Sequence, residues 1–197
     1  MKKFICFLIL LFNIDIISSS EINVITNYKK IYNNDDIVGK IVINGTLINE
    51  IVVQGKDNKY YLNHDIYKKE NIEGSVFLDY RTSINSNQIN IYGHNSELYD
   101  VPFKELSNYL DYSFYINHKY IEIFDGYINH KYIIFSVNLT KDSEHLKLDK
   151  SINHLDKLKR SIYNTNIDVN INDNILVIQT CNTKQNGNYI IISAKEV

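Results

Sequence analysis

Cysteine is nearly missing from this chain. There are two, Cys6 and Cys181, and Cys6 falls inside an apolar run at the N-terminus. If that run is a leader, no intramolecular disulfide is open to the mature protein. Cys181 is then a reactive thiol or half of an intermolecular bridge. Tryptophan is absent, and proline occurs once, at Pro102. Arginine occurs twice, as Arg81 and Arg160, so nothing after residue 160 can supply a guanidinium. An excess of charge is lacking too. The net charge is −2, which removes the electrostatic case for a nucleic-acid partner. A long hydrophobic run is also lacking. Phe4 to Phe12 is unbroken but too short to span a bilayer comfortably.

What is present at the start is a pattern. Lys2 and Lys3 precede the apolar run, Asn13 and Asp15 interrupt it, and Ser18–Ser20 follow. This fits a signal peptide over residues 1–20, with an uncleaved N-terminal membrane anchor as the alternative. Either way the remaining chain is expected outside the cytoplasm. Its 197 residues allow one domain plus that leader.

Residues 21–36 carry Ile22, Ile25, Tyr28 and Ile31 at helical spacing, which predicts a short N-terminal helix or linker. From Ile37 the pattern becomes short β-rich runs: 37–45, 48–55, 74–80, 88–93, 119–124, 127–139, 174–180 and 188–195. Asp125-Gly126 between two of them is a hairpin signal. Residues 102–110 read as a short helix with Pro102 in its first turn. "YINHKYI" occurs at 115–121 and again at 127–133, an echo ascribed to biased composition. Residues 143–162 carry Leu146, Leu148, Ile152, Leu155, Leu158 and Ile162 at near-helical period. An amphipathic helix packed on the sheet follows. Eight strands, three helices and no βαβ alternation predict a mainly β protein, an eight-stranded barrel with peripheral helices.

A nucleophilic cysteine needs a base, and usually a histidine in reach. Of six histidines, His118 and His130 sit in the echoed heptapeptide, and His145 and His154 lie among charges of the helical stretch. His64 follows a turn, where a local structural role is the ordinary reading. His94 differs. It closes "NIYGHN", where a strand ends at Gly93, and Cys181 closes "NILVIQT" in the same way. Two such strand ends can meet on one rim of a barrel. The competing reading is a buried structural cysteine and an exposed histidine.

These segments resemble those of class B sortases, the membrane-associated cysteine transpeptidases of Gram-positive bacteria. The likeness runs through "VGKIVINGTLINEIVVQGKDNKYYLNHDIYKKENIEGSVFLDYR" (38–81), "INIYGHN" (89–95), "PFKELSNYLDYSFYINHKYIEI" and "KRSIYNTNIDVNINDNILVIQTCN". It covers residues 37–197, the expected catalytic domain. The resemblance implies an eight-stranded barrel with an N-terminal helix and a long helix before the cysteine strand. It implies Cys181 as the nucleophile on a Thr carbonyl of an NPxTx-like sorting signal, and His94 as the acid/base. Thr180 and Asn95 would line the substrate site, and Arg81, in its family-like "DYR" context, is read first as structural and second as a substrate contact. The partners would be a secreted protein bearing the signal and a cell-wall peptide amine. No metal or cofactor is implied, and the enzyme would act as a monomer at the cell surface. One departure stands out. The family's arginine on the last strand falls here at Tyr189, or at Asn188 with a one-residue shift, and Asn182 stands where relatives often have an acid; a cation from elsewhere, Arg81 or Lys184, is the other candidate to replace it. That departure keeps two alternatives open: a catalytically degenerate surface binding protein, and a thiol peptidase that releases product to water.

Overall fold

The computed structural model describes residues 24–96, 98–141, 148, 151–181 and 188–197. The leader, the histidine at 145 and Leu146, and the lysine at 184 lie outside the described residues, as does most of the first half of the predicted 143–162 helix.

Helix α1 (Val24–Tyr32) is followed by β1 (Ile37–Val42), β2 (Asn49–Val53), β3 (Val76–Leu78) and β4 (Gln88–Tyr92). A 3-10 helix over Lys104–Leu110 leads into α2 (Tyr112–Asn117), then β5 (Tyr120–Phe124) and β6 (Asn129–Thr140). The chain ends with α3 (Ile152–Leu158), β7 (Ile175–Cys181) and β8 (Tyr189–Glu196). The strands close into a barrel in the order β1-β2-β3-β4-β7-β8-β6-β5. The predicted barrel and its strand count are therefore present.

Strand alternation decides what fills the barrel. Ile89 and Ile91 on β4, Leu176 and Ile178 on β7, and Ile190 and Ile192 on β8 all join the interior cluster. The residues between them point outward and need covers of their own. On one side Val177 and Ile191 pack with Phe135, Val169, Leu155 and Leu158 beneath α3. On another, Phe77 and Tyr92 pack with Ile25 of α1 and Tyr61 of the β2–β3 connection. The second of these clusters reaches Tyr92, the last residue of β4.

Two local expectations are corrected. The described helix before the cysteine strand is seven residues, Ser151 capping it through the amide of His154 at 3.2 Å. Its buried face is His154, Leu155 and Leu158, whereas Ile152 and Ile162 are exposed. The apolar stripe was traced one face too far round, and His154 is core rather than solvated. Second, α2 has no counterpart among the predicted elements. Its tyrosines and isoleucine favour strands by propensity, but Asp111 accepts from the Phe114 amide and caps a helix. The echoed heptapeptide, as biased composition implies, does not repeat a structure. Tyr115–Asn117 end α2, while Asn129–Ile133 lie in β6. The Asp125-Gly126 turn forms as expected, with the Asp125 amide donating to the Ile128 carbonyl.

Candidate active site

β4 and β7 are parallel neighbours, in register from Gln88↔Ile175 to Tyr92↔Gln179. Continuing that register sets His94 beside Cys181. Two side-chain bonds carry the pairing past the end of the ladder. Thr180 Oγ1 donates to the Gly93 carbonyl at 2.8 Å, and Asn95 Nδ2 donates to the Cys181 carbonyl at 3.0 Å. Alternation sends Thr180 and Asn95 inward, where both are buried. It sends His94 and Cys181 outward together. They line one cavity of about 360 Å³, with Tyr189 at its edge and Leu62, Phe77 and Tyr92 as apolar wall.

Gly93 serves this arrangement by lacking a side chain rather than by relaxing the backbone. A Cβ there would stand 2.6 Å from Cδ2 of the fully buried Phe103. Gly74 combines both roles. It has a φ of +61°, and a Cβ would meet the Leu62 carbonyl at 2.8 Å and His94 Cδ2 at 3.0 Å. The gap lets His94 Nε2 reach the Leu62 carbonyl at 2.6 Å. A carbonyl only accepts, so Nε2 carries a proton, and in the neutral tautomer with this bond the lone pair is on Nδ1.

Cys181 is exposed, yet its apolar surroundings push its thiol up from the ordinary value. Among the described residues no charge offsets that burial effect. At neutral pH Cys181 therefore rests as a thiol, and to act as a nucleophile it needs a base to take its proton.

No protein-family model matches the chain. Sortase B of Staphylococcus aureus (strain NCTC 8325 / PS 47) is 36% identical over 162 residues, 75% of this chain and 64% of that protein. The chain thus spans a little under two thirds of the length of this curated relative. The X-ray structure of Clostridium perfringens sortase B matches with a TM-score of 0.80 and 32% identity, over 87% of this chain and 98% of that one. The chain belongs to the class B sortase family. A solved complex of Staphylococcus aureus sortase B with substrate aligns with this class B sortase at a TM-score of 0.78 and 32% identity, over 88% of this chain and 84% of that one.

Within this class B sortase the residues singled out from sequence divide into two groups. Cys181, His94, Thr180, Asn95 and Tyr189 come together at the ends of β4, β7 and β8. Asn95 is spent inside, its amide nitrogen also donating to Ser107 Oγ at 2.6 Å. Arg81 is engaged elsewhere. Its Nε and Nη2 fork onto Asp79 at 2.8 and 2.6 Å. Asp79 is fully buried and also accepts from Tyr92 Oη at 2.8 Å and Asn58 Nδ2 at 3.1 Å. Burial pushes the Asp79 carboxyl up, but those hydrogen bonds outweigh it and hold the carboxyl below its usual range. Leu62, Gly74, Asn58 and Asp79 were not singled out by sequence reasoning. The only signal for the first and third was their place in the "VVQGKDN…YYLNHD" run, and a backbone carbonyl leaves no residue-type signal at all.

Proposed function

We propose that this class B sortase is a cysteine transpeptidase that cleaves an NPxTx-like sorting signal after its Thr and passes the acyl group to a cell-wall amine. The observation that carries the reading is the placement of His94 and Cys181 on one face of two parallel strand ends, across a single cavity. That Staphylococcus aureus sortase B is solved with its substrate supports a substrate as the ligand of that cavity.

In this reading His94 takes the Cys181 proton, and the sulfur attacks the Thr carbonyl carbon. The tetrahedral intermediate collapses, the C–N bond breaks, and the imidazolium gives its proton to the leaving amine. A thioester remains. An incoming amine loses a proton to His94 and attacks it, and the thiolate leaves and is reprotonated. Tyr189 stands where family members place arginine. Its hydroxyl supplies one neutral donor to the oxyanion in place of a charged fork. The enzyme works outside the cytoplasm, as a monomer tethered through its N-terminus or released by cleavage there. Among the described residues no helix is long and apolar enough to cross a membrane.

A second reading has its own support. A thiol raised by burial, beside a tyrosine in place of the arginine, suits a surface protein that binds the signal without turning it over. The test is incubation of the protein with quenched NPxTx peptides and an amine acceptor. Cleavage with amine-dependent product formation is expected. Cleavage with only the free acid as product, with or without amine, marks a peptidase. No cleavage of any variant, with binding unchanged in Cys181→Ala, marks the binding protein.

A further inference from the structure

We infer that Asn95 is a positioning residue, which clips the backbone of Cys181 to the segment bearing His94 and so sets the approach of thiol and imidazole. The inference rests on the transpeptidase reading for its kinetic consequences, though not for its geometry.

The β4–β7 backbone ladder stops at Tyr92↔Gln179. His94 and Cys181 both lie past that point, where backbone pairing between the two strands no longer fixes their separation. Asn95 lies one residue after His94, so the pleat turns the two side chains to opposite faces. His94 faces the Cys181 side chain from outside. Asn95 grips the Cys181 carbonyl from inside, at 3.0 Å. The same amide nitrogen donates its other hydrogen to Ser107 Oγ at 2.6 Å. Ser107 belongs to the 3-10 helix whose Leu106 and Tyr109 are fully buried in the barrel core. A continuous path therefore runs from the core through Ser107 and Asn95 to the peptide plane that follows the nucleophile. That plane sets the direction of the Cys181 side chain, and misplacement of a reacting group by about 1 Å can cost on the order of 100-fold in rate. With both amide hydrogens used and only 8% of the residue exposed, Asn95 has no donor left for a substrate in the cavity.

The test uses Asn95→Ala and Asn95→Asp in the full soluble chain, with Val169→Ala from the cluster under α3 as the background for general destabilisation. For sorting-signal cleavage, kcat is expected to fall by ~10- to 100-fold with KM within about 3-fold. The Asn95→Asp to wild-type ratio of kcat should climb as pH falls from 7.5 to 5. Only the protonated carboxyl can donate to the Cys181 carbonyl. Iodoacetamide alkylation of Cys181, followed by mass, should move the opposite way. A released strand end lets the already exposed thiol move away from its apolar surroundings and speeds its reaction by about 3-fold or more over Val169→Ala. Alkylation needs no turnover, so an inert wild type would defeat the transpeptidase reading and still leave Asn95 decided. A raised KM at unchanged kcat would make Asn95 a substrate contact. Rates that match Val169→Ala in both assays would make it scaffold only. Either result overturns the proposal.

Discussion

Cys181 and Tyr189 are direct cross-strand partners on β7 and β8. Residues so paired put their side chains on the same face, with Cβ atoms roughly 4.5–5.5 Å apart. Tyr189, at the position the resemblance gives to the family's arginine, therefore lies on the Cys181 face of β8. Tyr189→Phe is expected to lower the rate of acyl-enzyme formation by ~10-fold or more, a neutral hydroxyl contributing up to the ~10²–10³-fold typical of one preorganised oxyanion donor. Tyr189→Arg is expected to raise it. Single-turnover acylation by a sorting-signal peptide, followed by mass, measures both. A silent Tyr189→Phe would remove the hydroxyl from the mechanism.

The Cys181 thiol offers a second expectation with a definite sign. Burial disfavours the thiolate and raises the midpoint above the ordinary value of 9.0. Below that midpoint the neutral thiol dominates, and as pH rises through it the thiolate appears. Iodoacetamide alkylation should therefore accelerate with pH and level off only above 9.0. A plateau reached near neutral pH would mean that a thiolate–imidazolium pair already exists in the free protein.

Arg81 is expected to act on stability and not on chemistry. Its fork neutralises Asp79, a carboxylate with no exposure, beneath Tyr92 of the cavity wall. Arg81→Ala leaves that carboxylate with Tyr92, Asn58 and a backbone amide, and should cost about 2 kcal/mol. For a domain of this size that is roughly 4–8 °C in Tm. Acylation measured well below the lowered Tm should stay within about 3-fold of wild type. Abolished acylation in a folded Arg81→Ala would instead place the guanidinium at the oxyanion.

The barrel was legible because period-2 alternation is a local signal, and each strand carries its own. So was the meeting of His94 with Cys181, since both close apolar runs and a barrel brings like ends together. The helix before β7 was harder to place. The stripe through Ile152 and Ile162 shares Leu155 and Leu158 with the true face, and only burial of His154 separates the two. The helix at Tyr112–Asn117 was hidden by residues of strand propensity, and its one sign was Asp111 as a cap. What could not be read at all were the partners chosen at long range. Asn95 bonds across 86 residues to a backbone carbonyl. Arg81 turns to the aspartate two residues before it, although the same sequence permits it to face the cavity. Such choices depend on which atoms the closed barrel brings near, and no local pattern encodes them.

The last expectation concerns the seam where the barrel closes away from the cavity. His130 stands between two carboxylates, with Nδ1 2.5 Å from Glu196 Oε1 and Nε2 3.3 Å from Asp125 Oδ2. A neutral imidazole has one N–H, so only the imidazolium donates to both. Burial pushes His130 down, but the bonds to Glu196 and Asp125 outweigh it and its midpoint lies above the ordinary 6.5. Asp125 and Glu196 are shifted the other way. Burial raises each, and their hydrogen bonds, His130's among them, bring each below its usual value. The imidazolium's contribution is fully present below about pH 6.5 and is lost as pH rises through the higher folded midpoint. The carboxylates' contributions are present above about pH 4 and are lost as pH falls through their lowered midpoints. The clasp is therefore tightest between those limits, and it ties the end of β8 to the β5–β6 turn. His130→Ala should lower Tm by about 2–4 °C at pH 5.5, corresponding to about 1 kcal/mol, and by clearly less at pH 8.5. Calorimetry at the two pH values decides it. An equal loss at both would mean that the ring contributes through packing beside Ile123, its β5 partner, and not through charge.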